Sequence, residues 1–142
     1  RKLPTHSKKL LFMLKSKLPK TWSIKALDNI GNENELYNIL KKSKIFLSFS
    51  HMEGLGLPPL EAAKEGNKVI GYTGEGGKEY WKKPIFTEIP YGDLNLYVNE
   101  TLNYIKSSIK YSVFKKQRKL IYKKYSPEAE HKSLKKFIKN IM

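Results

Sequence analysis

The chain has 142 residues, of which 39% are hydrophobic and 29% charged, and its formal net charge at pH 7 is +15. This length and apolar fraction predict one domain with a hydrophobic core. The absence of cysteine excludes a disulfide framework and a thiolate metal site. The three histidines lack the spacing of a zinc site, and no apolar run approaches the roughly 18 residues of a membrane-spanning helix. The sequence begins at Arg1 without an initiator Met or a visible signal peptide, which indicates a fragment of a longer protein.

Positive charge is concentrated at both ends of the chain. Residues 1–20 hold seven Lys/Arg and no acid, and residues 102–142 hold twelve Lys/Arg against two acids, whereas the segment between them is nearly neutral. Such a field attracts nucleic acid, anionic lipid or phosphorylated substrates. The alternative interpretation is a lysine-rich chain whose helix faces are solvated.

The N-terminal part predicts a helix, a strand, a loop, a second helix and a second strand. In chain order these are a helix capped by Thr5 or Ser7 and running to about Leu18, a strand at 21–27, a loop at 28–34, a helix capped by Asn32 or Asn34 and ending near Lys42, and a buried strand at 45–49.

The middle of the chain alternates glycine-rich loops with short elements. The predicted order is a loop at 53–57, a helix from Pro58 to about Glu65, a strand at 68–71, a second glycine-rich loop at 72–77, a short helical turn at 78–82 and a strand at 84–88.

Three helices are predicted in the last third. The first is capped by Asp93 and runs to about Tyr111, the second spans about 113–125, and the third begins at Ser126-Pro127 and runs to about Asn140. Its apolar residues Leu134, Phe137, Ile138 and Ile141 are expected to be buried. The basic helices also carry aromatic residues, which can indicate nucleic-acid binding, but their helical spacing fits core packing and no nucleic-acid-binding signature is present.

Alternating strands and helices predict an α/β fold: a Rossmann-like parallel sheet with helices on both faces and the C-terminal helices packed on it. Ligands of such sheets bind beyond the carboxyl ends of the strands. The loops at 28–34, 50–57 and 72–77 are therefore expected to meet at one edge of the sheet.

The loop at 53–57 and the helix after it have the composition of an anion site. Pro58 and Pro59 have no backbone N–H, so free donors must come from Gly54, Leu55, Gly56 and Leu57. The positive end of the helix dipole lies at the same place. A phosphate suits these amides, and the flanking carboxylates of Glu53 and Glu61 suit hydroxyl groups.

The run Glu53-Gly-Leu-Gly-Leu-Pro-Pro-Leu-Glu61, two glutamates separated by seven residues, resembles the donor-binding domain of retaining glycosyltransferases with the GT-B fold. The resemblance continues in Ala62-Ala-Lys-Glu-Gly66, in Val69-Ile-Gly71 and in the second glycine loop Gly76-Gly-Lys-Glu79. It is strong from Ile45 to about Trp81 and weak elsewhere. Asn67-Lys68 departs from the family, in which a proline usually precedes the strand.

The resemblance implies transfer of a hexosyl group from a nucleoside diphosphate sugar to an acceptor hydroxyl, with retention at the anomeric carbon. It implies that Glu53 is catalytic, near the donor sugar, and that Glu61 binds the ribose. The resemblance also matches Arg1 and Lys2, loosely, to a basic pair that neutralises the diphosphate. Gly54, Leu55, Gly56 and Leu57 are the other expected donor-binding residues. No metal and no cofactor besides the donor substrate are expected.

The implied partners are the nucleotide-sugar and an N-terminal acceptor domain of the same polypeptide, in a cytoplasmic enzyme that can lie on the inner membrane face or use a lipid-linked acceptor. Structural alternatives stay open for each residue. Glu61 can be a helix acid beside the dipole, Glu53 can pair with a lysine, and Ser48, Ser50 and His51 can bond either a ligand or the loop.

Two other classes of function stay open. One is a basic, non-enzymatic module that binds nucleic acid or a membrane surface, in which the two glutamates have no role. The other is a different nucleotide-sugar enzyme of the same fold, such as an epimerase or a phosphorylase.

Overall fold

The computed structural model describes residues 4–28, 30–51, 54, 56–107 and 114–141. Within these ranges the chain forms a three-stranded parallel sheet and six α-helices, which confirms the α/β class. The elements in chain order are α1 (Pro4–Lys15), α2 (Glu33–Lys42), β1 (Ile45–Ser50), α3 (Leu57–Lys64), β2 (Lys68–Thr73), a 3-10 helix (Gly76–Glu79), β3 (Phe86–Glu88), α4 (Leu94–Lys106), α5 (Lys115–Lys124) and α6 (Pro127–Ile141).

The strands lie in the order β1-β2-β3, and both neighbouring pairs are parallel. Residues at alternate positions of the central strand enter two separate cores, because successive side chains of a strand point to opposite faces. Val69 packs with residues of α2, α3 and α5 on one face. Ile70 and Tyr72 pack with residues of α1 and α4 on the other. Helices therefore cover both faces of the sheet, as predicted.

A buried tyrosine hydroxyl joins two strands to α4. Tyr97 is fully buried, and its hydroxyl lies 2.9 Å from the carbonyl oxygens of both Ser48 and Ile70. The close approach depends on Gly71, since a Cβ at that position would lie 2.1 Å from the Ser48 carbonyl oxygen and 2.4 Å from the Tyr97 hydroxyl. Gly71 also has φ +140°, a conformation that favours glycine.

Asn67, the departure from the family pattern, has a structural role. Its side-chain nitrogen donates to the carbonyl oxygens of Leu40 and Ala62, at 2.9 and 3.1 Å, and its backbone N–H donates to Ala62 at 3.0 Å. These bonds join the ends of α2 and α3 immediately before β2. Proline at this position would supply none of the three donors.

One predicted strand is wrong. Residues 21–27 form no strand, and most of them are exposed. They begin in a turn, in which the Trp22 N–H donates to the Pro19 carbonyl oxygen. A strand is stabilised by its ladder partner and by burial rather than by propensity, and this segment has neither. Among the described strands, β1 is consequently an edge.

The packing of the last helix is also predicted incorrectly. α5 contributes Ile121 to the core beside α3, but α6 contacts α5 and buries none of its residues. Leu134, Phe137, Ile138 and Ile141 are between 48 and 68% exposed. The amphipathic pattern predicted the helix correctly, but it carries no information on what covers the apolar side.

Smaller differences concern element ends. α4 ends at Lys106, earlier than predicted, and β3 begins at Phe86 rather than Pro84. Asn32 is the cap of α2, with its side chain accepting from the Glu35 N–H at 2.9 Å, and Asp93 caps α4 as predicted. Within the described ranges no helix has both the length and the apolar character needed to cross a membrane.

Candidate functional site at the carboxyl end of the sheet

The loop that follows β1 is held in place at its C-terminal end, at Gly56. Gly56 precedes α3, is buried and has φ +66°, in the left-handed region. Its carbonyl oxygen accepts a 2.6 Å hydrogen bond from the Tyr80 hydroxyl, and a Cβ on Gly56 would lie 3.0 Å from that hydroxyl. Gly54, in contrast, is exposed, and a Cβ there would have open space around it. Glycine at 56 therefore fixes the loop, whereas Gly54 lies open.

α3 begins at Leu57, one residue before the prediction, with Pro58 and Pro59 at its next two positions. Of the first three helical residues only Leu57 carries a backbone N–H, and its side chain is 56% exposed. The helix N-terminus thus lies directly after the loop from the carboxyl end of β1. The helix dipole favours an anion here, but the N–H donors must come from Leu57 and the loop before it, because Pro58 and Pro59 have none.

Four of the residues predicted for the site lie outside the described ranges: Arg1, Lys2, Glu53 and Leu55. The structure therefore describes Gly54, Gly56, Leu57 and Glu61 of the predicted set, and all four belong to one loop and the helix that follows it.

Glu61 lies on the side of α3 that faces α2. It borders a cavity of about 190 Å³ with Glu33, Leu36, Tyr37 and Leu40. Partial burial raises the pKa of the Glu61 carboxyl, with a smaller rise from Glu33, and Lys64 acts in the opposite direction. Burial also raises the pKa of the Tyr37 hydroxyl, and Glu61 adds to this rise. Two carboxylates and a phenol at one small cavity can accept and donate hydrogen bonds to a polyhydroxylated ligand.

A larger cleft of about 1130 Å³ runs along the free edge of β1. Residues of α1, α2, β1 and the 18–28 segment line it. Asp28, Asn32, Ser50 and Pro58 are among these lining residues. The cleft includes residues of the 28–34 loop but none of the 72–77 loop. The predicted convergence of the three loops at 28–34, 50–57 and 72–77 therefore stays a prediction, and residues 21–27 form no strand that would lead into it.

The structure also brings together aromatic residues that the sequence did not group. At the carboxyl ends of the strands the His51 and Tyr91 rings stack with centroids 4.9 Å apart, and His6 lies 5.2 Å from Tyr91. The Tyr72 hydroxyl accepts from the Gly92 N–H and lies 3.1 Å from His6 Nδ1. Imidazole N–H groups donate to anions, so the cluster is a candidate for ligand contact. His6 and Tyr91 are 85 residues apart in sequence, and no local pattern links them.

Other candidate residues have structural partners. Ser48 is buried, its hydroxyl donates to the Tyr72 carbonyl oxygen at 3.0 Å, and it lies 3.2 Å from the Ser50 hydroxyl. The second glycine loop follows β2, and its Glu79 accepts a 2.7 Å hydrogen bond from the Tyr125 hydroxyl. Glu79 is therefore tied toward the C-terminal helices. Among the described residues no group of three His, Asp or Glu side chains is arranged to hold a metal ion.

No protein-family model, curated protein sequence or solved structure matches this chain. Its function must therefore be inferred from the sequence, the α/β fold and the geometry at the carboxyl end of the sheet.

Proposed function

We propose that the chain is the nucleotide-sugar-binding domain of a retaining glycosyltransferase of the GT-B fold, which transfers a hexosyl group to an acceptor hydroxyl. The observation that carries the proposal is the position of Glu61. It is a partly buried carboxylate, one turn into a helix that begins at the carboxyl end of a parallel sheet. A phosphate at the start of this helix and hydroxyl groups at Glu61 would be about one helical turn apart, a spacing that suits a nucleoside diphosphate.

The energetics of Glu61 support a binding role. Burial and Glu33 both raise its pKa, so the ionised carboxylate is less favourable in the folded protein than in water. A group that costs folding free energy at a concave surface is a candidate for function rather than stability. The cavity it borders is below the roughly 300 Å³ of small-molecule sites, so it would hold only the ribose. The larger cleft would offer room for the base.

The diphosphate would lie at the N-terminus of α3, near the amides of Gly54, Gly56 and Leu57. Arg1 and Lys2, assigned by the resemblance, precede a helix whose first turn contacts this edge of the sheet, because His6 reaches the Tyr72 hydroxyl. His6 and His51 would add N–H donors beside the phosphates. Glu53 would act at the sugar, where a carboxylate stabilises positive charge developing at the anomeric carbon. An N-terminal acceptor domain would complete the enzyme, so this chain alone would turn over little donor.

Calorimetric titration of the chain with UDP, GDP and ADP tests the proposal, with uridine, guanosine and adenosine as controls that lack phosphate. We expect one diphosphate to bind in the high micromolar to millimolar range, and the matching nucleoside to bind at least tenfold more weakly. Failure of all three diphosphates to bind at millimolar concentration would rule out the donor site. Equal binding of nucleoside and diphosphate would rule out the anion site at α3.

A further inference from the structure

α6 carries an apolar stripe that nothing in the described part of the chain covers. Leu134, Phe137, Ile138 and Ile141 recur at the i, i+3, i+4, i+7 spacing of one helix face, and their exposures are 52, 65, 48 and 68%. Exposed apolar residues at scattered positions are common, but a continuous helix face of this kind marks a surface that binds something.

The lysines of α6 repeat the same spacing on the opposite side. Lys132, Lys135, Lys136 and Lys139 are each two residues before a member of the apolar stripe, which is about 200° around the helix axis. After Glu130 the helix contains no acid. A helix with a lysine-rich face and an apolar face of Phe, Leu and Ile has the composition of helices that lie in the plane of a membrane surface.

The neighbouring helix extends the charge. α5 contacts α6 and presents five exposed lysines, namely Lys115, Lys116, Lys119, Lys123 and Lys124. Leu120 on the same helix is 60% exposed. The cations are spread over two helices, and the acids between them are Glu128 and Glu130 in the first turn of α6. Such a spread complements a fluid anionic surface better than a protein groove, which needs matched acids at fixed positions.

We propose that α6, with the lysines of α5, binds the surface of an anionic lipid bilayer, with the stripe of Leu134, Phe137, Ile138 and Ile141 inserted at the headgroup boundary. The surface is separate from the loop and helix of the candidate donor site, and the proposal does not depend on the nucleotide bound there. The lysines near such a surface would supply the salt-dependent part of the affinity, and the buried stripe would supply the salt-resistant part.

Co-sedimentation with vesicles tests the charge and the stripe separately. We expect the chain to bind vesicles of phosphatidylcholine with about 30% phosphatidylglycerol, an anionic lipid, and to bind pure phosphatidylcholine at least tenfold more weakly. Phe137→Ser should reduce the affinity about tenfold, whereas Phe12→Ser, which removes an 82% exposed phenylalanine from α1, should leave it unchanged. Replacing Lys135, Lys136 and Lys139 by Gln should weaken binding at least tenfold.

The matched charge control replaces Lys9, Lys41 and Lys42 by Gln, because these lysines are exposed on α1 and α2. It lowers the net charge by the same amount and should have much less effect. Equal loss in both triple variants would mean that the whole field, and not α6, attracts the vesicles, and would overturn the proposal. Circular dichroism on each variant checks that the fold is kept.

The orientation of α6 can be measured because the chain has no cysteine. An environment-sensitive fluorophore on Ile138→Cys should shift to shorter emission wavelength with anionic vesicles, and the same label on Lys136→Cys, on the opposite face, should not. Equal shifts at both positions, or none at 138, would contradict insertion of the stripe. A chain that ignores vesicles but forms a dimer that Phe137→Ser dissociates would show that a second copy covers the stripe instead, and would also overturn the proposal.

Discussion

The Tyr80 hydroxyl donates a 2.6 Å hydrogen bond to the carbonyl oxygen of Gly56, 24 residues earlier in the chain. This bond connects the two glycine-rich loops that the sequence placed at the same edge of the sheet. It also fixes the residue that immediately precedes α3, so the approach of the loop to the helix N-terminus is set by the 3-10 helix region and not by the loop alone.

Tyr80→Phe should therefore weaken nucleotide binding without unfolding the protein. A neutral hydrogen bond contributes about 1 kcal/mol, and its loss should reduce diphosphate affinity about three- to tenfold by calorimetry. Tyr125→Phe is the matched control, because it removes a hydroxyl that bonds Glu79 beside the same aromatic ring. Equal losses in the two variants would mean that Tyr80 acts on general stability rather than on the loop.

Glu61→Gln should separate binding from stability. At pH 7 the folded protein carries the full penalty of a carboxylate whose pKa burial has raised, so the variant should have an unchanged or higher midpoint of thermal unfolding. Hydrogen bonds to a charged group contribute about 1.5–3 kcal/mol, so nucleotide affinity should fall about tenfold or more. Glu130→Gln on α6 is the control. Unchanged affinity in Glu61→Gln would remove the ribose assignment.

Gly71→Ala should be severely destabilising. The added methyl would overlap the Ser48 carbonyl oxygen and the Tyr97 hydroxyl, and it would sit on a backbone with φ +140°. Strain and overpacking together should cost about 3–5 kcal/mol in denaturant unfolding. Gly92→Ala is the control, because Gly92 has φ +86° but an added Cβ there would meet nothing within 4 Å, so only about 1 kcal/mol of conformational cost is expected. Similar losses in both variants would show that the Tyr97 contact carries little energy.

Lys68 should make stability depend on alkaline pH. Burial, with a smaller effect of Lys83, lowers its pKa from 10.5 to about 8, against a rise from Glu100. Between these values the unfolded chain holds a proton that the folded protein does not, so stability rises with pH across this window and the penalty is complete below pH 8. Across the whole window the titration of Lys68 can change the free energy of unfolding by at most about 3 kcal/mol.

The measurement is denaturant unfolding of the wild type and of Lys68→Met at pH 7 to 9.5. The wild type should gain stability relative to the variant as the pH rises. Lys41→Met, at an exposed position on α2, should not change the slope. Parallel pH profiles for wild type and Lys68→Met would contradict a lowered pKa.

The parts of the fold that the sequence predicts well depend on local chemistry. Asn32 and Asp93 are caps because their side chains reach the N–H groups of the first turn, and Pro127 suits the start of α6. β1 and β2 are short apolar runs of the length of strands. Local patterns of this kind are complete within a few residues, so they need no knowledge of the rest of the structure.

The parts that the sequence does not predict depend on distant neighbours. Residues 21–27 alternate like a strand but find no ladder partner, and the stripe of α6 is amphipathic but stays exposed. The pairing of His6 with Tyr72 and of His51 with Tyr91 arises only when three strand ends meet. For the site, the loop and Glu61 follow from one motif, whereas the cavity beside Glu61 depends on α2.

The open edge of β1 also governs how this chain behaves at high concentration. The strand Ile45–Ser50 pairs with β2 on one side, and no described strand pairs with it on the other side. An apolar strand with an unsatisfied edge is a template for strands of other copies. Concentrated preparations should therefore aggregate by intermolecular β pairing. Proline in place of Phe46 or of Leu47 removes one backbone N–H of β1. The variant that aggregates less identifies the N–H at which this pairing begins.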